Sequence, residues 1–200
     1  MPIPADIDAQ LTGEFKKGMI AATISDPAGC LFFYCCGPCS VYDQRRTLLS
    51  LTGEPYVMCA GTCPCLGFEQ PCPESLLMVE SCCLMGNAMG GNRWMTHSRL
   101  NVKNTGLENF CQIFNFCVSC EFCIMRLCCD CSKEREDLVK AACCGCACMH
   151  CQNAAEIDAF RKSGKAYPGP PAGLVTALPN HFATVGVTTA AVAPVQMAPM

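Results

Sequence analysis

The chain carries 22 cysteines among its 200 residues. At this density, cysteine indicates a framework of disulfides or bound metal rather than ordinary core filling. Most of these cysteines stand in short clusters, and the C-x-x-C spacing recurs along the chain. Two such units on neighbouring elements can supply the four thiolates of a tetrahedral zinc site. The use of these sulfurs is therefore the first constraint on the fold.

The first eight residues are acidic and lack a basic region followed by an apolar one, so we expect no secretory signal peptide. Cysteines in a reducing compartment usually serve metal or redox chemistry, whereas secreted chains use them as disulfides. The sequence therefore favours thiols with bound metal over disulfides. It also favours a membrane-associated, intracellular-facing location, at the plasma membrane or an endomembrane.

The candidate metal ligands are cysteines in C-x-x-C or C-P-C spacing. They are Cys36, Cys39, Cys63, Cys65, Cys117, Cys120, Cys123, Cys128, Cys131, Cys143, Cys146, Cys148 and Cys151. Thiolates suit zinc, cadmium and copper(I), and zinc is the cofactor we expect. The spacing between units matches no standard zinc finger, so the pairing of the ligands stays open. Other cysteines are expected to pack as small apolar side chains, first among them Cys30, Cys59 and Cys111.

The net charge of −3 and the scattered basic residues argue against nucleic acid as a partner. Hydrophobic residues make up 51% of the chain, which favours contact with a membrane, a protein partner or a second copy of the chain. No stretch reaches the roughly 20 apolar residues of a conventional transmembrane helix. Shorter charge-free blocks are present instead, and such blocks are typical of buried, re-entrant or interfacial segments. Membrane association is therefore expected, whereas spanning stays open.

The expected fold class is mainly α: a small Cys-rich helical domain with irregular turns, held by metal thiolates or disulfides, with short apolar hairpin-like segments. We expect an N-terminal tail over residues 1–14, the Cys-rich domain over 15–164, and a Pro/Ala-rich C-terminal tail over 165–200. Capping and periodicity signals define the helices. The expected helices run from Asp43 to Gly53, from Pro73 towards Met85, from the capping box Thr105–Glu108 towards Leu127, over Lys133–Lys140 and over Gln152–Ser163.

Signals of catalysis are few. The chain has no Walker loop, no dinucleotide-binding glycine motif and no H-E-x-x-H motif. No sequence pattern places a base beside a nucleophile, and His97 is expected on a helix surface or at a cap. We therefore expect no enzymatic activity and no small-molecule substrate.

Three stretches resemble the placenta-specific gene eight family, which includes cornifelin, the plant cadmium-resistance proteins and the cell-number regulators. They are Phe15–Gln44 with its Cys36-Gly-Pro-Cys39-Ser-Val-Tyr-Asp-Gln44 segment, Asn92–Leu100, which is followed by a helix entering Cys120-Glu-Phe-Cys123, and Cys148-Met-His-Cys151-Gln152 with Glu156-Ile157 after it. Gly37 stands where the family has the first cysteine of Cys-Pro-Cys, and Cys63-Pro64-Cys65 carries that motif later in the chain.

The resemblance implies a small membrane-associated protein without known catalytic chemistry, in a family linked to divalent-metal tolerance or transport. It places the family's metal-contacting motif on Cys36 and Cys39, and on Cys63 and Cys65 as the true C-P-C.

The leading hypothesis is a membrane-associated, non-catalytic protein that binds or handles soft divalent metal ions. One alternative is a structural or assembly subunit of a larger complex, whose cysteine clusters only hold the fold. The other is a thiol–disulfide oxidoreductase that uses one exposed C-x-x-C.

Overall fold

A computed structural model describes residues 9–61, 71–111 and 133–169, with side chains of the last segment described from residue 144 onward. These residues are mainly helical, which confirms the predicted fold class. The elements in chain order are β1 (Gly13–Glu14), α1 (Met19–Ser25), α2 (Pro27–Cys35), α3 (Gly37–Thr52), a 3₁₀ turn (Met58–Gly61), α4 (Ser75–Cys83), α5 (Met85–Leu100), β2 (Val102–Lys103) and α6 (Lys133–Lys162), with residues 106–111 also helical. Among the described helices, none combines the length and the apolar character needed to cross a membrane.

Helix α3 begins earlier than the sequence predicted. We expected Asp43 to cap its first turn, but the helix starts at Gly37 and Cys36 occupies the N-cap position. The physical reason is Pro38, whose fixed φ suits the first helical turn and whose missing N–H needs no partner there. The predicted end is confirmed, because Gly53 adopts the left-handed conformation with φ 69° and its N–H bonds the carbonyl of Leu49.

The C-terminal helix corrects a second expectation. Two separate helices were predicted, over Lys133–Lys140 and Gln152–Ser163, but the structure has one continuous helix of 30 residues, α6. Gly145 lies inside it, although an interior glycine costs a helix about 1 kcal/mol relative to alanine. Packing of α6 against α1, α2, α3 and α5 offsets that cost.

The capping box that begins the helical residues 106–111 is confirmed. Thr105 N–H donates to Glu108 Oε2 over 2.7 Å, and Glu108 N–H donates to Thr105 Oγ1 over 3.5 Å. The predicted continuation of this helix towards Leu127 lies outside the described residues. The predicted start near Pro73 is confirmed within two residues by α4, which ends at Cys83. Helix α5 follows directly, and its bounds were not predicted.

An apolar core joins α3, α4, α5 and α6 through Leu48, Leu77, Trp94 and Ile157. A second cluster packs Phe33, Val41, Ala88 and Ala147 between α2, α3, α5 and α6. Strands β1 and β2 pair in parallel, with Gly13 opposite Val102, and so hold the N-terminal segment against the end of α5.

Charged groups are buried beside this apolar core. Arg45, Arg93 and Arg99 are almost fully inaccessible to solvent. Arg45 pairs with Glu80 (3.5 Å), Arg93 with Glu108 (3.8 Å) and Arg99 with Glu54 (2.8 Å). Removing a charge from water is costly unless a partner and hydrogen bonds compensate it. Each pair joins two different segments of the chain. The pairs therefore help to fix how these segments are arranged.

His97 also lies within this polar interior, and the expectation of a surface or capping histidine is wrong. Its side chain is buried edge-on against Phe15, with ring centroids 5.2 Å apart. Nδ1 donates to the carbonyl of Val102, because a carbonyl oxygen only accepts. Burial, followed by the nearby charge of Arg93, holds the pKa of His97 well below its usual range.

Candidate functional site

The candidate site lies where α2, α3 and α6 meet, and its first feature is the disulfide between Cys36 and Cys39. The two Cα atoms are 5.4 Å apart across the junction of α2 and α3. Cys36 is half-buried at the N-cap of α3, whereas Cys39 is exposed in the first turn. Both are predicted metal ligands, and a role in metal binding stays a prediction for their reduced form.

The second feature is a thiol cluster, which we define as Cys30 of α2 together with Cys144, Cys148 and Cys151 of α6. Cys30 hydrogen-bonds with Cys151, and Cys144 with Cys148. Cys30 also interacts electrostatically with Cys148, which links the two pairs. Residues 144, 148 and 151 share one helix face, since side chains three and four positions apart are neighbours.

The surroundings of the thiol cluster favour the protonated forms of Cys148 and Cys151. Burial, reinforced by the hydrogen bond with Cys30, raises the pKa of Cys151 to about 12. Burial also raises the pKa of Cys148, against the opposing effect of a hydrogen bond with Thr23. Burial and a hydrogen bond with Cys144 raise the pKa of Tyr34 to about 12. Cys148 and Cys151 are therefore thiols rather than thiolates at neutral pH.

The third feature is a buried contact between Ser40 and His150. Ser40 Oγ lies 2.7 Å from His150 Nε2, and the imidazole stacks on Phe33 with ring centroids 4.7 Å apart. Gln44 Nε2 donates to the backbone carbonyl of His150 over 3.1 Å. Within the part of the chain that the structure describes, His150 Nδ1 has no hydrogen-bond partner. Burial lowers the pKa of His150 to about 4, so the ring is neutral at physiological pH.

An open pocket of about 250 Å³ lies beside this contact. Ser40, His150 and Cys151 form part of its lining, and Asp26 and Asp43 are among its acidic residues. The pocket thus connects the Ser40–His150 contact with the thiol cluster.

Most of the predicted metal ligands lie outside the described residues. This applies to Cys63, Cys65, Cys117, Cys120, Cys123, Cys128 and Cys131, and to the side chain of Cys143. Among the others, the structure brings Cys148 and Cys151 together and leaves Cys146 half-buried on α6. Within residues 9–61, 71–111 and 144–169, no group of three or more His, Cys, Asp or Glu side chains is arranged to hold a metal ion.

Two members of the thiol cluster were not predicted as site residues from the sequence. Cys144 was not named, although the spacing of residues 144, 148 and 151 is that of one helix face. Cys30 was expected to act as a small apolar side chain, and its contact with Cys151 spans 121 positions of sequence. No local pattern could have paired those two residues.

The stability of the fold is expected to fall as the pH is lowered from about 6.5 to about 4. In that interval an unfolded chain protonates His150, whereas the folded chain keeps it neutral, so folding loses free energy as the pH falls. A His150 pKa of about 4 in the folded chain, against 6.5 in the unfolded chain, corresponds to a loss of about 3 kcal/mol in the free energy of unfolding once the pH has fallen through this interval. The low pKa of His97 adds to the same trend. Urea denaturation at a series of pH values measures the effect.

The matched control for this pH dependence is His150→Gln, which keeps a hydrogen-bonding group near Ser40 but does not titrate. Its free energy of unfolding should change less than that of the wild type between pH 6.5 and pH 5. Equal slopes for the two proteins would show that His150 is not buried as described.

Comparisons with known proteins add no assignment. No protein-family model, no curated protein and no solved structure matches the chain. The resemblance to the placenta-specific gene eight family therefore rests on the sequence motifs alone and stays a prediction.

Proposed function

We propose that the protein binds soft metal ions through the thiol cluster formed by Cys30, Cys144, Cys148 and Cys151. The observation that carries the proposal is the meeting of four thiols from two helices, in hydrogen-bonding and electrostatic contact with one another. Thiolates are soft ligands that suit zinc, cadmium and copper(I). The pocket that Cys151 lines offers such an ion a route to the cluster.

Binding at this cluster exchanges protons for metal. The thiols form hydrogen-bonded pairs, so their side chains must turn towards a common point before an ion can be held. A metal ion binds thiolates, and the high pKa of Cys151 means that its proton leaves when the ion enters. With two protons released per ion, the affinity falls about 100-fold for each unit by which the pH is lowered.

The test is titration of the full-length, reduced protein with Cd²⁺, followed through the ultraviolet thiolate-to-cadmium charge-transfer band. We expect the double variant Cys148→Ser/Cys151→Ser to bind at least one Cd²⁺ fewer per chain than the wild type. The matched control is Cys82→Ser/Cys83→Ser, which removes two exposed thiols of α4 and should leave that stoichiometry unchanged. Equal stoichiometry for the cluster variant and the wild type would overturn the proposal.

Membrane association stays a prediction. It is supported by large apolar side chains that are exposed on two adjacent helices: Ile20 and Ile24 on α1, and Leu31 and Phe32 on α2. The same side chains suit a protein partner, which was the other partner predicted from the composition.

A further inference from the structure

We propose that Cys36 and Cys39 form a redox-active dithiol–disulfide site that exchanges electrons with cysteine-containing polypeptides. This activity goes beyond metal binding and uses different sulfurs, so each of the two proposals can fail without the other. It corresponds to the alternative of an oxidoreductase that uses one exposed C-x-x-C, rather than to the leading expectation of a non-catalytic protein.

The disulfide lies at the start of a long helix. Cys36 is the N-cap of α3, a helix of 16 residues, and its side chain makes no capping hydrogen bond in the disulfide form. Once reduced, a thiolate at Cys36 would occupy the N-cap position, where a side chain can accept a hydrogen bond from a backbone N–H of the first helical turn, near the positive end of the helix dipole. Both stabilise the thiolate, which makes Cys36 a good leaving group in thiol–disulfide exchange.

The disulfide contributes little to the stability of the fold. It closes a loop with a sequence separation of only 3, and short loops gain the least stability from a cross-link. The N-terminal half of α3 is held independently, by the Ser40–His150 contact of 2.7 Å and by the hydrogen bond of Gln44 to His150. The disulfide can therefore open while its surroundings stay in place.

One sulfur of the disulfide is accessible to a polypeptide substrate. Cys39 is exposed, and two apolar residues with exposed side chains lie next to the segment that carries the disulfide. The backbone carbonyl of Phe32 accepts a hydrogen bond of 2.8 Å from the backbone N–H of Cys36, and the side chain of Phe32 is half exposed. Met85, which is 37% exposed, lies against Gly37. A thiol carried by an apolar polypeptide segment fits this surface better than a charged small thiol does.

The exchange then proceeds in two balanced steps. A substrate thiolate attacks the exposed Sγ of Cys39, the bond between the two sulfurs breaks, and Cys36 leaves as a thiolate. A second thiolate of the same substrate attacks the first substrate sulfur and expels the Cys39 thiolate. The substrate dithiol is oxidised to a disulfide and loses two electrons. The Cys36–Cys39 pair gains those electrons, and the two protons of the substrate end on the two released thiolates.

The test uses full-length protein with its disulfide formed and a reduced synthetic peptide that carries two cysteines among apolar residues. After alkylation, mass spectrometry maps which sulfurs have become thiols. We expect one peptide dithiol to be oxidised to a disulfide per chain, with Cys36 and Cys39 both newly alkylated. Cys82→Ser is the matched control, since it removes an exposed thiol elsewhere, and it should behave as the wild type.

Two single variants then locate the attacked sulfur. With glutathione disulfide, reduced Cys36→Ser should accumulate a mixed disulfide on Cys39. Cys39→Ser should form the mixed disulfide with glutathione on the half-buried Cys36 about tenfold more slowly. The wild-type measurement needs no substitution, so misfolding of a variant does not decide the outcome. A Cys36–Cys39 pair that stays oxidised in excess reduced peptide would overturn the proposal, as would equal trapping on both cysteines.

Discussion

Replacing Glu80 with alanine is expected to lower the free energy of unfolding by about 3–5 kcal/mol, because it leaves the guanidinium of Arg45 buried without its counter-charge. Glu80 is fully inaccessible and lies 3.5 Å from Arg45 Nη2. It also accepts a hydrogen bond of 2.6 Å from the Tyr56 hydroxyl. Burial, followed by this hydrogen bond, raises the pKa of Tyr56, and burial lowers the pKa of Arg45. Urea denaturation followed by circular dichroism measures the loss.

Two matched variants separate the charge from the packing around it. Tyr56→Phe removes one hydrogen bond to Glu80 and should cost about 1–2 kcal/mol. The double variant Arg45→Met/Glu80→Leu removes both charges and should be more stable than Glu80→Ala. Arg45 also bonds Asn92 and the carbonyl of Ala88, so some of the loss will remain. If Glu80→Ala cost less than about 1 kcal/mol, the buried pair would not have the role assigned to it.

Replacing Arg93 with methionine is expected to have an effect of similar size. Nη1 donates to Gln152 (2.8 Å) and to Asn153 (2.7 Å) of α6, and Nη2 donates to Asn104 (2.5 Å). The guanidinium also lies over the ring of Phe15, 4.2 Å from its centroid. Methionine has a comparable apolar stem but no donors, so three buried amide oxygens lose their partner. We expect a loss of about 3–5 kcal/mol in the free energy of unfolding.

Arg93→Lys is the matched control for this second effect. It keeps a positive charge but cannot reach three acceptors with the planar fork of arginine, so it should recover only part of the lost stability. Asn153→Ala, which removes one acceptor, should cost about 1 kcal/mol. Full recovery in Arg93→Lys would mean that the charge, rather than the geometry of the fork, holds α5 against α6.

The elements that could be predicted from the sequence are those whose signals are local. The left-handed glycine at residue 53 and the capping box at Thr105 each depend on a few neighbouring residues, and both are found. Helix α5 shows the opposite case. Its segment from Asn92 to Arg99 is polar and has the appearance of a solvated surface, yet all of it is buried. Its partners, such as Gln152 and Glu54, lie 59 and 45 positions away, where no local pattern can reveal them.

The candidate site likewise has residues that could be predicted from the sequence and contacts that could not. The sequence singled out Cys36 and Cys39, and their C-x-x-C spacing suffices for the disulfide that the structure contains. It also named Cys148 and Cys151, which belong to the thiol cluster. The contact of Ser40 with His150 was not predicted, because it depends on α3 crossing α6 and joins positions 110 residues apart.

The buried ion pairs also bear on how a chain of this kind can vary. A substitution at Arg45 leaves Glu80 buried without its counter-charge, and a substitution at Glu80 does the same to Arg45. Neither position can therefore change alone without a large loss of stability. The same holds for Arg99 and Glu54. Among divergent relatives, these positions should change in pairs or not at all. Shared pairs at these positions would therefore identify a distant relative even where the cysteine pattern has been lost.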